Sequence, residues 1–190
     1  MITTNDDELA WRIGSLRTHG ITREADRMVG ESHGPWYYQQ LELGYNYRMT
    51  DIQAALGASQ MNRLNAFARR RREIADYYDI ELADLPLRPL ARDSRGISGW
   101  HLYMIRLDLN EIHKSRLEVF ESLRAQGIGV NVHYIPVHLQ PDYVKLGFAV
   151  GMFPEAERYY EEAITLPMFP MMRDEDVLRV REGLINAIYG

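Results

Sequence analysis

After the segment Thr50-Asp51-Ile52-Gln53 the chain meets neither glycine nor proline between Gly57 and Pro86. A hydroxyl residue three positions before Gln is the signature of a capping box, in which each side chain satisfies the other's free backbone N–H. The spacing therefore predicts one helix from Thr50 to about Leu82. Met61, Leu64, Ala68, Ala75 and Tyr78 recur at steps of three, four and seven and form an apolar stripe. Arg69 to Arg72 spread around the helix beside Glu73 and Asp76, which reads as a solvated surface rather than a nucleic-acid patch. A helix of about 30 residues would span ~45 Å, more than a small domain needs, so it is expected to bridge two bodies, 1–80 and 81–190.

Composition limits what the two bodies can do. The 190 residues are 46% hydrophobic and 26% charged, the range of ordinary globular chains. The absence of cysteine excludes thiol nucleophiles, Cys-ligated zinc and iron–sulfur clusters. A net charge of −5 argues against general nucleic-acid binding. Only Lys114 and Lys145 are lysines, so few amines are available for Schiff-base chemistry. No stretch approaches the ~20 apolar residues of a membrane span, and the acidic start Asn5-Asp6-Asp7-Glu8 is unlike a secretory signal. The expected location is the cytoplasm, with no membrane partner.

Around the long helix the pattern is mixed, an α/β chain whose second body is α+β. Residues 1 to 4 read as the end of a strand, followed by a helix capped by Asn5 or Asp6 that runs to about Arg17. Residues 18 to 48 collect Gly20, Gly30, Gly34, Pro35 and Gly44, an irregular stretch of a length that is usually either functional or disordered, and the aromatics Trp36, Tyr37 and Tyr38 favour function. Beyond Pro89 the expected elements are a strand from Trp100 to Leu107, a helix from Lys114 to Gln126 and a strand from Ile128 to Tyr134. The helix would bury Leu117, Phe120 and Leu123 and end on Gly127. Pro154 suits the first turn of an acidic helix, and a final helix carries Val177, Leu178, Leu184, Ile185 and Ile188 inward.

Two segments could carry chemistry. Gly44-Tyr45-Asn46-Tyr47-Arg48 precedes a capped helix and could offer an amide and a guanidinium to an anion. Equally, Asn46 could satisfy turn backbone and Arg48 could pair with Asp51. In Val130-Asn131-Val132-His133-Tyr134, alternation puts Val130, Val132 and Tyr134 on one face and Asn131 and His133 on the other, just before Pro136 ends the strand. A metal site at His133 and His138 lacks a third ligand at usable spacing, so no metal is expected. His101 reads as a semi-buried strand histidine, and no Gly-x-Ser-x-Gly or phosphate-loop fingerprint is present.

Taken in order, Gly44-Tyr45-Asn46-Tyr47-Arg48-Met49, Asp51-Ile52-Gln53-Ala54-Ala55-Leu56-Gly57, Trp100-His101-Leu102-Tyr103 and Val132-His133-Tyr134-Ile135-Pro136-Val137-His138-Leu139-Gln140-Pro141 form a recognisable series. The chain resembles the nucleotide-sugar aminotransferases of the DegT/DnrJ/EryC1/StrS family, from Met1-Ile2-Thr3-Thr4 to Leu166-Pro167-Met168-Phe169-Pro170. Around Tyr47 and His133-Tyr134 it is most similar to the pseudaminic-acid pathway 4-aminotransferases, which act on a UDP-4-keto-6-deoxy-N-acetylhexosamine.

The resemblance implies part of a type I pyridoxal-phosphate (PLP) fold: the tail of the large PLP-binding domain with the bridging helix, then the complete small domain. It sets Met1 at a hydrophobic position inside the family sequence and puts the Schiff-base lysine upstream, so no catalytic residue is expected in this chain. Asn46 is similar to the asparagine that reaches across a homodimer to the PLP phosphate, and Arg48 to the arginine that follows it near the entrance. His133 and Tyr134, with His138, resemble residues bordering the nucleotide sugar. Glutamate is the implied amino donor. Two alternatives are a PLP-dependent sugar dehydratase of the same family, with histidine at the upstream lysine position, and a non-catalytic interaction or regulatory domain.

Overall fold

The computed structural model describes residues 2–93 and 95–190. The chain divides into two compact units, Met1–Asn62 and Arg63–Gly190. Their boundary lies earlier than residue 80 because the expected single helix is two, α2 at Asp51–Met61 and α3 at Leu64–Glu81. Neither glycine nor proline causes the break. Asn62 and Arg63 keep near-helical backbone but interrupt the ladder. The capping box at Thr50 and Gln53 is present at the start of α2.

In the first unit, α1 spans Asp7–Leu16, and the Asp6 carboxylate accepts the Leu9 N–H at 2.9 Å. Ile2 to Thr4 form no strand, and Met1 lies outside the described residues. The irregular stretch holds a short antiparallel pair, β1 at Ile21–Thr22 and β2 at Gln39–Gln40. Among the described residues of this unit no apolar side chain is fully buried; its buried side chains are Ser15 and Thr22. Backbone hydrogen bonds rather than apolar burial hold it together. Met61 and Leu64, expected on the buried stripe, are both more than half exposed.

The second unit holds the apolar core. A three-stranded antiparallel sheet has the order β3 (Leu87–Pro89), β4 (Tyr103–Leu107), β5 (Ala163–Leu166), with Ile105 opposite Pro89 on one side and Ile164 on the other. Alternation along β4 turns Tyr103, Ile105 and Leu107 inward and Met104 and Arg106 outward. Helix α4, Arg116–Ala125, is closed by a Ser115–Glu118 capping box and followed by Gly127 at φ +74°, where the sequence places a left-handed C′ residue. Its inner face is Val119 and Leu123; Leu117 is exposed. Short α5 (Pro141–Val144) and α6 (Pro154–Glu162) precede β5, and α7 (Asp174–Tyr189) buries Val177, Val180, Leu184, Ala187 and Ile188. Leu178 faces partly outward instead.

Two differences from the sequence expectation reposition functional segments. His101 precedes β4 and is exposed, not semi-buried in a strand. Residues 128 to 134 do not form a strand; Asn131 alone makes a bridge to Thr165, with N–H donations of 2.7 and 3.2 Å exchanged between them. Arg70 and Arg71 are also not a solvated face. Arg70 donates to the Met172 carbonyl at 2.8 Å and to Asp174, and Arg71 donates to the carbonyls of Trp100, His101 and Met168. The guanidinium fork can serve several carbonyls at once, and charge alone in a sequence does not distinguish that use from solvation.

Candidate functional site

The Gly44–Thr50 loop is fixed by backbone. Tyr45 N–H donates to Leu16 O at 2.6 Å, Tyr47 N–H to Arg17 O at 2.9 Å, and His19 N–H to Tyr45 O at 2.9 Å. Gly44 permits this approach, since a Cβ there would lie 2.2 Å from Gly20 N and 2.5 Å from His19 C. Tyr45 and Tyr47 stack at 4.9 Å on one side of the extended segment, so Asn46 between them projects the other way. Asn46 is exposed and bridges Thr18 through its backbone. Among the described residues its side-chain amide has no hydrogen-bond partner and the Arg48 guanidinium has no ion pair. The pairing of Arg48 with Asp51 allowed by the sequence is not formed. A neutral donor and a cationic fork on one rigid loop suit a phosphate.

The amine side of the chemistry is different. Lys114 Nζ donates to the Ala187 carbonyl at the end of α7, 3.1 Å away, and Lys145 Nζ pairs with Asp142 at 3.1 Å. Lys114 is tied to a backbone carbonyl, whereas Lys145 makes only an exposed surface pair. The residues present thus fit the phosphate end of PLP and not its aldehyde end.

In the second unit the 131–138 segment leaves the sheet at Thr165. His133 is half-buried, with Nδ1 2.8 Å from Thr165 Oγ1 and Nε2 3.4 Å from Asn131 Nδ2. Its carbonyl accepts the Tyr159 hydroxyl at 3.2 Å. Tyr134 stands edge-on to the His133 ring, centroids 4.6 Å apart, and is 71% exposed. Tyr134 is therefore on the surface beside His133 and does not share a face with the buried Val130, because the segment lacks strand alternation. His138 is only 7% exposed. Its Nε2 meets Glu157 Oε1 at 2.8 Å and its ring lies 4.8 Å from that of Phe153.

Glu157 completes a clasp that the sequence conceals within the acidic run of α6. Gly151 N–H donates to both of its oxygens at 2.8 and 2.9 Å, and Phe153 N–H donates at 3.4 Å. The Gly151 N–H, followed by the His138 imidazole, holds the Glu157 carboxyl below the ordinary glutamate range. A group whose folded value is depressed stabilises the fold above its unfolded value and loses that effect as pH falls through the folded one. Glu157→Gln is expected to lower the melting temperature at neutral pH, with the difference from the parent closing as pH falls below the ordinary glutamate range. Parallel thermal melts across that range check it, and a difference independent of pH would refute the clasp.

A cavity of about 690 Å³ in the second unit is lined by Arg72, Arg92, Ile97, Trp100, Leu102 and Met104 among others. Arg92 pairs with Asp76 and Asp79 at 2.5 Å and lies over the Trp100 ring, 4.8 Å from its centroid. None of the site residues expected from sequence lines it. Among the described residues no group of three or more His, Cys, Asp or Glu could hold a metal, and no helix is long and apolar enough to cross a membrane.

A family profile described as the DegT/DnrJ/EryC1/StrS aminotransferase family matches residues 1–185. The chain belongs to the DegT/DnrJ/EryC1/StrS family. Among curated relatives of this DegT/DnrJ/EryC1/StrS chain, the spore coat polysaccharide biosynthesis protein SpsC of Bacillus subtilis is 38% identical over 194 residues, covering 100% of this chain and 49% of SpsC. Among solved structures, a protein of Streptococcus pneumoniae described as a sugar aminotransferase, in its PMP form, matches with TM-score 0.83 and 32% identity, over 97% of this chain and 46% of that one. Helicobacter pylori PseC, described as an aminotransferase involved in the biosynthesis of pseudoaminic acid, matches with TM-score 0.83 and 28% identity, over 97% and 47%. The mixed α/β fold is thus that of solved sugar aminotransferases over nearly the whole chain. The chain spans about half the length of the curated relatives it matches.

Proposed function

We propose that this chain is the C-terminal portion of a PLP-dependent aminotransferase that transfers an amino group from glutamate to a 4-keto nucleotide sugar, in the cytoplasm, as part of cell-surface sugar biosynthesis. The observation that carries the reading is the uncommitted pair Asn46 and Arg48 on a backbone-fixed loop, inside a chain whose family match runs from residue 1 to 185. When bound, PLP supplies the electron sink that lets an amino group move to a carbonyl carbon.

The chain's own residues bind and orient. Asn46 donates its amide to the phosphate across a homodimer, and Arg48 adds a guanidinium near the entrance. His133 and Tyr134 border the nucleotide sugar, while His138, fixed to Glu157, holds the segment that carries them. The exposed apolar side chains around the loop, Leu43, Tyr45, Tyr47, Met49 and Ile52, supply a surface for the partner subunit. No residue here is assigned the proton transfer, since Lys114 is held by the Ala187 carbonyl and Lys145 lies on an exposed surface beside Asp142, and the chain is expected to be inactive on its own. The likeness to PseC and the wording around His133-Tyr134 support a UDP-4-keto-6-deoxy-N-acetylhexosamine as the substrate.

The test is made with a lysine-bearing upstream half joined or co-expressed. Asn46→Ala removes a hydrogen bond to a charged group, worth roughly 1.5–3 kcal/mol. PLP affinity is expected to fall about tenfold to a hundredfold, with sugar-nucleotide binding little changed at saturating PLP. His133→Ala should do the opposite. Separate titrations of the two ligands, with melts as a folding control, decide the matter. Equal loss of both ligands in each variant, or loss of neither, would remove both assignments.

A further inference from the structure

The His133 ring sits between two polar neighbours whose own hydrogen bonds are already constrained. The Asn131 Oδ1 accepts the Val132 N–H at 2.8 Å, so the amide group facing His133 Nε2 is the Nδ2 donor, at 3.4 Å. Reversing the amide would set two donors against each other at Val132. With a donor facing it, Nε2 must be the acceptor, and the ring proton belongs on Nδ1, where Thr165 Oγ1 waits at 2.8 Å. Thr165 is 5% exposed, a hydroxyl within the otherwise apolar strand Ala163-Ile164-Thr165-Leu166. Its backbone is locked to Asn131 in both directions, so the two residues that flank the ring are also fixed to one another.

We propose that Thr165 and Asn131 are positioning residues that hold His133 as the neutral Nδ1–H tautomer. His133 then presents Nε2 as a hydrogen-bond acceptor and selects a donor group, a hydroxyl or an N-acetyl N–H, on the nucleotide sugar. The selection rests on the sugar-facing reading of His133 given above; the tautomer does not. The 3.4 Å contact to an exposed amide is the weaker of the two, so a ligand donor can take Nε2 while the buried contact to Thr165 persists. A phosphate oxygen, an acceptor, finds no complement there.

Nitrogen-15 NMR of the histidine rings in the full 190-residue chain near neutral pH reads the tautomer directly. The expected result is protonated Nδ1 and unprotonated Nε2 at His133, retained in Thr165→Ser and lost in Thr165→Val. The backbone amide spectrum reports whether each variant is folded. A proton on Nε2 in the parent chain, or an unchanged ring in folded Thr165→Val, would overturn the proposal whatever the ligand. In the enzyme assembled with its upstream half, Thr165→Val is expected to raise KM for the sugar nucleotide about twofold to tenfold with little change in kcat, and Thr165→Ser to restore it. If the Nδ1–H tautomer is found but His133→Ala leaves sugar-nucleotide binding intact, the tautomer stands and the selection of a sugar donor group by this ring is overturned.

Discussion

Gly44→Ala is expected to unfasten the loop that carries Asn46 and Arg48. The added methyl would stand 2.2 Å from Gly20 N, 2.5 Å from His19 C and 2.8 Å from Leu16 O, all backbone atoms that cannot swing aside. Overpacking of this kind costs roughly 1–3 kcal/mol even in a core that can adjust. Here the 16–20 stretch and the Gly44 segment would have to separate, in a unit that has no buried apolar side chain among its described residues to hold them. Hydrogen exchange gives the readout. The amides of His19, Tyr45 and Tyr47 should lose protection, whereas those of Ile105 and Ile164 in the second unit keep theirs. Parent-like protection at Tyr45 and Tyr47 would show that the loop is not built on this approach.

Ile105→Ala should produce the largest loss of stability in the second unit. Ile105 is fully buried in the central strand, with a neighbour strand on each side. Removing a buried isoleucine side chain costs about 2–5 kcal/mol, through lost transfer energy plus the cavity left behind. Denaturant unfolding followed by the Tyr78–Tyr103 stack, whose rings lie 4.7 Å apart in the same core, should show a lower midpoint with an unchanged slope. A shift under about 1 kcal/mol would mean that the core collapses around the gap.

Much of the local structure was legible because the signals were local. Thr50 and Gln53, Asp6, Gly127 and Pro154 act where the sequence puts them, since caps and N1 prolines depend on neighbours within a few residues. The break at Asn62–Arg63 was not legible, because no proline or glycine marks it. Tertiary packing claims α3 for the second unit through Ile74, Ala75 and Tyr78. The same gap explains Leu117 and Leu178, apolar residues left outside while Val119 and Val180 face inward.

The site divides in the same way. The motif segments pointed to Asn46, Arg48, His133 and Tyr134, but periodicity could not show that Asn131 makes only one bridge or that His138 is clasped by Glu157, 19 positions away. Thr165 had a signal available: a hydroxyl inside a four-residue buried strand needs a partner. Arg71 had none, since a run of four arginines reads the same whether its members meet water or carbonyls.

The way α7 meets α3 bears on how the protein is made. Arg70 reaches Asp174 across 104 positions and Arg181 reaches the Glu81 carbonyl across 100, and the Tyr78 hydroxyl donates a hydrogen bond to Pro167 O. During synthesis, a ribosome that has not yet passed residue 174 leaves a nascent α3 without its α7 contacts, its apolar side met by the β4 side of the core through Tyr103. Closure of so long a loop precedes any reward from the contacts it makes, which slows folding. Until α7 leaves the exit tunnel, the α7-facing apolar side chains of α3 stay open to solvent, the kind of surface that makes an unfinished chain prone to association.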